Sequence, residues 1–389
     1  MMVQRIYFDH NSTTPLDPRV LEAMLPYLSD TYGNASSVHS IGQFARAGLE
    51  QSREKLAALL SCRPDELYFT SGATESDNIA VKGVADALAH KGRHIITTKT
   101  EHQAVLEPCK YLEKHDYEVS YLDVDSKGYV NADQLRAAIR PNTILVSIIY
   151  ANNETGTIQN IGALAQIAHE KNIYFHTDAV QALGKINVNP HSLGVEMASG
   201  TAHKFYGPKG VGLFFAKVGT RFSPHIHGGA HERGKRAGTE NVPGVVGMAK
   251  ALELCVAEME SNTTHVAKLA DRLTVGILNT IPESRIHGDP ANGIRGTMFF
   301  TFPGTDGEAI ILSLDMAGIA VSSGSACTSG ATEPSHVLLA MGVSAQEASS
   351  AIRFSLGKGN TVEEIDFLIA TLPPIVERLR KMSPQYAGR

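Results

Sequence analysis

Lys204 is the residue whose place in the sequence points most directly to chemistry. It lies in the stretch SGTAHKFYGPKGVG (199–212), between a segment that changes from apolar to small residues at Gly200 and the strand-like residues 211–216. In a short connection between two buried strands a lysine loses hydration, which favours the neutral amine and makes it a nucleophile towards a carbonyl carbon. Because a lone lysine is usually a surface residue, this interpretation depends on its companions.

Those companions share a position in the pattern, since each of them follows a predicted strand. The carboxyl ends of parallel strands lie at one edge of a sheet, where such folds bind their ligands, so we expect these side chains to meet there. The turn at residues 71–74 opens a helix and offers backbone N–H groups and a hydroxyl to a phosphate. The residues in this position are Thr74, His102, Asn153, Asp178 and Lys204.

Their chemical types fit one cofactor, pyridoxal phosphate. A buried acid such as Asp178 keeps a pyridine nitrogen protonated and so makes the ring an electron sink, while Gln181 can hydrogen-bond the phenolic oxygen of the ring. His102 can stack on the ring and transfer protons. Singly, each has an ordinary explanation: Asp178 and Thr74 as helix caps, Gln181 as a turn residue, and His102 as a satisfied polar side chain. The phosphate would be held by Thr74, Thr201 and His203.

The elements that must position these residues alternate between strand and helix. Residues 143–150 (TILVSIIY) are almost wholly apolar, which is typical of a strand buried on both faces of a parallel sheet. The alternation predicts an α/β fold, a mainly parallel sheet with helices on both faces. The other strand-like segments are 94–97, 118–122 and 173–176, and the helical ones are 105–115 and 162–171.

A length of 389 residues allows a second, smaller domain. The last third of the chain has strand-like segments at 282–288, 297–302 and 352–355 and helical segments at 308–317 and 362–380. We therefore predict a large cofactor-binding domain at 15–259, and a small α+β domain that combines 1–14 with 260–389 and carries a cysteine-containing loop at about 321–335.

Composition excludes several classes of function. The net charge is −5 and no basic stripe is present, which argues against a nucleic-acid partner. No apolar run has the length of a membrane span, and the first residues do not read as a signal peptide. The cysteines have no C-x-x-C spacing, which predicts reduced thiols in a cytoplasmic compartment and neither disulfides nor a zinc site. They are Cys62, Cys109, Cys255 and Cys327.

Cys327 differs from the other three cysteines in its neighbours. It lies in VSSGSACTSG (321–330), where almost every residue is Ser, Thr, Ala or Gly. This composition provides little to anchor the segment in a core and predicts a mobile loop. An isolated cysteine is usually a small buried hydrophobe, an interpretation that we keep for Cys62, Cys109 and Cys255. For Cys327 we predict a nucleophile.

Specific strings in consistent order extend over nearly the whole chain: FDHNSTTPLDP, SGATESDN, TEHQAVLEP, ANNETGTIQ, HTDAVQALGK, AHKFYGPKG, ERGKRAGTENV, SSGSACTSG and IRFSLGK. In these strings the chain resembles the pyridoxal-phosphate-dependent cysteine desulfurases of the nitrogen-fixation and iron–sulfur-assembly type, within the class-V aminotransferases. The resemblance implies a transferase of fold type I with a seven-stranded sheet in its large domain. One departure is Thr201, where relatives more often carry Ser, although either hydroxyl serves a phosphate.

The resemblance also implies a role for individual residues. The catalytic set is Lys204 as the Schiff-base lysine, Cys327 as the nucleophile and His102 as the acid–base residue. The substrate set is Arg353 on the α-carboxylate, with Asn153 and Asn11. The cofactor set is Ala73, Thr74, Thr201 and His203 at the phosphate, Asp178 and Gln181 at the ring, His102 stacked on it, Asn153 beside it, Lys204, and Thr239, which reaches the phosphate of a neighbouring subunit.

The implied reaction converts L-cysteine to L-alanine and leaves a persulfide on Cys327. The implied partners are a second copy of the chain with shared active sites and an iron–sulfur scaffold or other sulfur acceptor, whose identity the sequence leaves open. No metal of the chain's own is implied, although Cys327 can share a transient iron–sulfur cluster with a scaffold.

Other interpretations remain at this point. A selenocysteine lyase, a kynureninase or an aminotransferase would share Lys204 and Asp178, and the Cys327 loop disfavours the last two. A partner without activity that only binds a scaffold is disfavoured by the intact motifs. A hydrolase with a metal site would use His225, His227, His231 and Glu232.

Overall fold

The computed structural model describes residues 5–324, 333–383 and 386. Within this part of the chain a seven-stranded sheet, here called the large sheet, has the strand order β2-β8-β7-β6-β5-β3-β4. The strands from β7 to β4 are parallel, and β8 is antiparallel to both of its neighbours. The strands are β2 (Leu67–Thr70), β3 (His94–Thr98), β4 (Glu118–Leu122), β5 (Thr143–Ser147), β6 (Tyr174–Asp178), β7 (Met197–Thr201) and β8 (Gly212–Ala216).

Helices cover the large sheet because its strands bury both faces: β3, β5, β7 and β8 are buried at every residue. Side-chain caps start several of the helices, as when Asp17 accepts the N–H of Arg19. A π-helical turn, Ile79–Gly83, joins two short helices. The helices are α1 (Pro18–Ser29), α2 (Ser40–Leu60), α3 (Ala73–Asn78), α4 (Val84–Leu88), α5 (Gln103–Glu113), α6 (Ala132–Ala138), α7 (Ile161–His169), α8 (Pro190–Leu193) and α9 (Val242–Ala257).

A second core lies in the last third of the chain, around an antiparallel sheet in the order β12-β10-β9. The chain's start joins it: β1 (Ile6–Tyr7) pairs in parallel with β11 (Ile319–Ala320), and Phe8 is buried with Phe300 and Phe354. The remaining elements are α10 (Met259–Thr280), β9 (Arg285–His287), β10 (Thr297–Thr301), α11 (Gly307–Met316), α12 (His336–Ala340), α13 (Ala345–Ala348), β12 (Ala351–Ser355) and α14 (Val362–Met382).

The predicted fold class is confirmed, but one predicted strand is too long. We expected a strand over 143–150, whereas β5 ends at Ser147. Beyond it, the N–H of Ile149 donates to the buried carboxylate of Glu101 (2.9 Å) in place of a ladder partner. The predicted strand over 282–288 likewise shortens to β9. None of the helices in the described ranges is both long and apolar enough to cross a membrane.

Candidate active site

A cavity of about 540 Å³ opens at the carboxyl ends of the large sheet's strands. It contains nearly all of the residues that the sequence analysis selected, which places them together as expected. Lys209, Gly210 and Gly324 also line it. The selected residues on its wall are Asn11, Ala73, Thr74, His102, Asn153, Asp178, Gln181, Thr201, His203, Lys204 and Arg353.

Lys204 ends a single 3₁₀ turn between β7 and β8. Its Nζ donates to the backbone oxygens of Asn11 (2.6 Å) and Ser12 (2.7 Å). The same loop from the start of the chain is fixed to the turn by the N–H of Thr14, which donates to the oxygen of His203 (2.9 Å). The amine is therefore held at the floor of the cavity by two carbonyl dipoles.

Asp178 is the last residue of β6 and is almost fully buried. Its Oδ1 accepts the N–H of Val180 at 2.9 Å. Burial raises the pKa of this carboxyl, and the positive charges of His102 and Lys204 oppose the rise. A cation placed against Asp178 would offset its lost hydration, so the site is suited to a protonated ring nitrogen.

His102 caps the first turn of α5. Its Nδ1 accepts the N–H of Ala104 at 3.1 Å, which leaves the ring proton of the neutral imidazole on Nε2. The cap thus selects the tautomer of a ring that lines the cavity.

The predicted phosphate-binding residues lie where the chain enters α3 and leaves β7. A Cβ on Gly212 would come within 2.6 Å of the backbone of Gly72, so this close approach of β8 to the turn requires glycine. The Oγ1 of Thr201 donates to the oxygen of Val211 (3.1 Å). Burial lowers the pKa of His203 to about 4, with Lys204 and Lys209 adding to the shift, so this imidazole is neutral at pH 7.

Arg353 lies on β12, which pairs with β10 in the antiparallel sheet, and its side chain reaches the cavity. That side chain is only 2% exposed. Its Nη2 donates to Asp9 Oδ1 (2.8 Å) and Ser12 Oγ (2.7 Å), and its Nη1 donates to the oxygen of Asn153 (3.1 Å). Its Nε is buried and makes no hydrogen bond to the described residues. A guanidinium that lines a cavity suits a carboxylate ligand.

Comparison with known proteins places this arrangement in a family. The model of the family "Aminotransferase class-V" matches residues 6–368. The chain belongs to the class-V aminotransferases. Among curated relatives, "Cysteine desulfurase IscS" of Dictyoglomus turgidum is 48% identical over 383 residues, which are 98% of this chain and 97% of that protein. "Cysteine desulfurase IscS" of Methanosarcina thermophila is 47% identical over 97% of this chain and 94% of its own.

Solved structures agree with this class-V assignment. A "NifS-like protein" superposes with a TM-score of 0.91 at 42% identity, covering 96% of this chain and 100% of its own. A NifS-like protein from Rickettsia africae superposes with a TM-score of 0.86 at 32% identity, covering 96% and 99%. The resemblance noted from the sequence is confirmed, and so is pyridoxal phosphate, the cofactor of class-V aminotransferases.

The cavity of this class-V chain fits that cofactor on its own chemistry. The buried carboxyl of Asp178, whose pKa burial raises, lines the cavity and suits a protonated ring nitrogen. The turn at Gly72 and the hydroxyls of Thr74 and Thr201 offer donors to a phosphate. The amine of Lys204 is within the same cavity.

One predicted residue of the described part of the chain does not line the cavity. Thr239 is exposed on the surface. Cys327 lies outside the described residues. The chain that leads towards it is placed at the site: the N–H of Arg353 donates to the oxygen of Ser322 (2.6 Å), and Gly324 lines the cavity.

The alternative metal site does not assemble. Glu232 is buried against Arg53, whose Nη2 donates to its Oε1 at 2.8 Å, and His231 Nδ1 bonds with Glu240 (2.8 Å). Across residues 5–324 and 333–383, no group of three or more His, Cys, Asp or Glu side chains is arranged to hold a metal ion. Cys109 and Cys255 are buried as expected, while Cys62 is only half-buried.

The sequence analysis missed several polar residues around the site. Asp9 and Ser12 hold Arg353, and Thr13 Oγ1 bonds with His203 Nδ1 (3.2 Å). Asp77 is fully buried in the cavity wall, and Lys185 donates to two predicted site residues. The signal for the first three was the density of polar side chains in DHNSTT. For Lys185 the signal was a lysine four residues after Gln181 in an otherwise apolar segment.

Proposed function

We propose that the protein is a cysteine desulfurase that converts L-cysteine to L-alanine and leaves a persulfide on Cys327. The observation that carries the proposal is the convergence of Lys204, Asp178 and Arg353 on one cavity, at the edge of the sheet where the cofactor of this family binds. An amine, a buried acid and a guanidinium together suit an amino acid bound to pyridoxal phosphate. The names of the curated relatives support the choice of cysteine as the amino acid.

Different residues of the cavity would hold the ring, the aldehyde carbon and the phosphate of the cofactor. Asp178 would bind the ring nitrogen, and Gln181 Nε2 would donate to the ring oxygen. The Nζ of Lys204 would make the covalent link. When bound, pyridoxal phosphate supplies an electron sink that stabilises negative charge at the substrate's α-carbon. The phosphate would be bound by Ala73, Thr74, Thr201 and His203, with Asn153 and the ring of His102 beside the cofactor.

The remaining steps belong to the chain's own side chains. Arg353 binds the α-carboxylate with Asn153 and Asn11 beside it, and the Nζ of Lys204 would remove the α-proton once the substrate's amino group has replaced it at the cofactor. His102, with its proton on Nε2, moves a proton at the substrate. The thiolate of Cys327 attacks the substrate sulfur, so that the S–S bond forms as the Cβ–S bond breaks. The substrate carbons leave as alanine after taking up protons, and the sulfur stays on Cys327.

We further propose a homodimer with shared active sites. Large apolar side chains are exposed on and between α1 and α2, including Leu28 (57%), Tyr32 (70%), Val38 (89%) and Phe44 (66%). Large exposed apolar side chains in one region of the chain favour a protein interface there. Thr239 is exposed and would reach the phosphate in the partner copy. Two variants test the dimer and the shared active site separately. Phe44→Glu is expected to sediment as a monomer. Thr239→Ala is expected to sediment as a dimer and to bind the cofactor more weakly in a titration.

The sulfur acceptor, the domains and the compartment are also proposals. An iron–sulfur scaffold or another acceptor would take sulfur from Cys327, which transfer of labelled sulfur would identify.

The two cores support domains at 15–259 and at 1–14 with 260–389. We propose a reducing, cytoplasmic compartment because the three cysteines that the structure describes are free.

The decisive experiment uses the purified chain with pyridoxal phosphate and L-cysteine. We expect a visible absorption band, and alanine and sulfide in equal amounts when a reductant is present. Lys204→Ala is expected to lose the band, and Cys327→Ala to keep it while losing sulfide release; Lys217→Ala, a surface lysine, is the control. A wild-type chain that stays colourless with the cofactor would refute the proposal. Faster turnover of selenocysteine than of cysteine would identify a selenocysteine lyase instead.

A further inference from the structure

Lys185 is a half-buried lysine beside the cavity to which the mechanism above gives no role. It lies one turn after Gln181, and its Nζ donates to Gln181 Oε1 (2.6 Å) and to Asn11 Oδ1 (2.9 Å). One ammonium group thus donates hydrogen bonds to the side-chain oxygens of both amides. An amide whose oxygen is fixed has its nitrogen fixed on the opposite side.

The two amide nitrogens then point to acceptors in the site. Gln181 Nε2 donates to the oxygen of Asn11 (2.9 Å), and Asn11 Nδ2 donates to the oxygen of Asn153 (3.0 Å) and to Thr297 Oγ1 (2.8 Å). The same oxygen of Asn11 accepts from Lys204 Nζ (2.6 Å). Lys185 is therefore linked to Lys204 through the side-chain amide of Gln181 and the backbone oxygen of Asn11.

The charge of Lys185 is balanced by amide dipoles, since no described ion pair includes it. Its stem lines a neighbouring small cavity of about 110 Å³, whose wall includes Phe205 and Val266. Burial lowers the pKa of Lys185 to about 7, with the charges of Lys204 and Arg353 adding to the shift and Cys255 opposing it. His10 lines the same cavity, and burial together with the charge of Lys185 lowers the pKa of its imidazole to about 4.

We propose that Lys185 is a positioning residue, which holds the amides of Gln181 and Asn11 so that Gln181 presents its Nε2 to the cofactor ring and the Asn11 carbonyl receives Lys204. This inference rests on the proposed function. It also assigns an electrostatic effect: a cation facing Lys204 disfavours a proton on the nitrogen of Lys204, whether free or linked to the cofactor.

The first test is a pH titration of the visible band of the holoenzyme. Lys185→Met is expected to raise the midpoint by about one pH unit, a tenfold change in the proton equilibrium, because a neighbouring cation is lost. Lys185→Arg keeps the charge and is expected to titrate as wild type. Lys250→Met, which removes a half-buried lysine paired with Glu253 (2.9 Å) on α9, is the matched control and is expected to leave the midpoint unchanged.

The second test is a double-mutant cycle on cofactor binding to the apoprotein. Lys185→Met and Gln181→Met are each expected to weaken binding by about tenfold, and the double variant no more than Gln181→Met alone, because Lys185 acts through that amide. Additive losses together with an unmoved midpoint would overturn the proposal. If Lys185→Met fails to fold, Lys185→Arg still tests it, since its longer planar group cannot satisfy both amides and is expected to weaken binding while keeping the midpoint. A colourless wild type would overturn the proposed function itself, whereas a coloured wild type matched by Lys185→Met in both tests would overturn only the role of Lys185.

Discussion

The active site has two sides that are built differently. The sheet side, which comprises Thr74, His102, Asp178 and Lys204, consists of residues that end a strand of the large sheet or lie within four residues after one. The terminal side comprises the loop 9–14 and Arg353, which come from the two ends of the chain. On the sheet side the ladder of β5, β6 and β7 sets the positions. On the terminal side, hydrogen bonds such as Arg353 Nη2 to Asp9 Oδ1 (2.8 Å) join residues 344 positions apart.

The difference lies in what a single substitution can disturb. A ladder is a set of many backbone bonds, so a changed side chain on the sheet side leaves the scaffold in place. The terminal side depends on individual charged hydrogen bonds, each of which is stronger than a neutral one but has few neighbours to replace it. We therefore expect substitutions on the sheet side to change chemistry, and those on the terminal side to change substrate binding.

The largest effect is expected on the sheet side, from Asp178→Asn. Asn keeps an oxygen to accept the N–H of Val180 but cannot hold a ring nitrogen protonated, so kcat should fall by about a thousandfold, roughly 4 kcal/mol of barrier. Since burial raises the pKa of Asp178, removing its charge should not lower the stability of the apoprotein. Alanine formation and urea unfolding measure the two effects. Asp123→Asn, at a surface pair with Lys99, is the control; a kcat within tenfold of wild type would contradict the assignment.

On the terminal side the next effect is expected from Arg353→Gln. Losing charged hydrogen bonds to a carboxylate costs about 3 kcal/mol, so kcat/KM for L-cysteine should fall by about a hundredfold, mainly through KM. The kcat/KM of Arg353→Lys should lie between those of the wild type and Arg353→Gln, because an ammonium keeps the charge but lacks the bidentate geometry of a guanidinium. Steady-state kinetics with the visible band as a check on cofactor content measure this. A loss confined to kcat would place Arg353 in the chemistry and break the contrast between the two sides.

The sequence predicts the sheet side better than the terminal side. The sheet side was predicted because apolar runs such as TILVS mark buried strands, and the residues after them must meet at one edge. On the terminal side, Arg353 and Asn11 were predicted only through the resemblance to a family. Asp9, Thr13 and Lys185 were not predicted, because the local signals at these positions do not show which distant segments the side chains contact. The end of β5 was missed for that reason too, since the buried carboxylate of Glu101 lies 48 residues from Ile149.

Acid is expected to weaken both sides from the same pH downwards, and the loss at the sheet continues to the lower pH. Burial lowers the pKa of His176, a residue of β6, to about 3. Burial and the charge of Lys185 together lower the pKa of His10 to about 4. Both values lie below the ordinary 6.5, so the stability that the neutral rings contribute is complete above pH 6.5 and is lost as the pH falls towards 4 and then 3. Urea unfolding between pH 7 and 4 should show a falling free energy of unfolding. Replacing either His10 or His176 with Gln should flatten that fall by the same amount, because between pH 6.5 and 4 each ring is neutral in the folded chain and protonated in the unfolded one; clearly unequal flattening over this range would contradict the expectation.

The smallest and most discriminating effect is expected from Asp9→Asn. Asp9 holds the guanidinium of Arg353, yet its negative charge also competes with the substrate carboxylate for that cation. Asn keeps an oxygen that can accept from Arg353 and from Ser12 Oγ (2.8 Å to Oδ1), so the geometry should survive while the competing charge is lost. With a partly exposed carboxylate, at 17% exposure, the pair contributes no more than about 1 kcal/mol, and KM for L-cysteine should fall by about threefold. Ser12→Ala, which removes a neutral donor and acceptor from the same guanidinium, separates the two effects: it should raise KM slightly. If Asp9→Asn raises KM as well, Asp9 acts mainly by orienting Arg353, and the terminal side would depend on geometry in the way that the sheet side does.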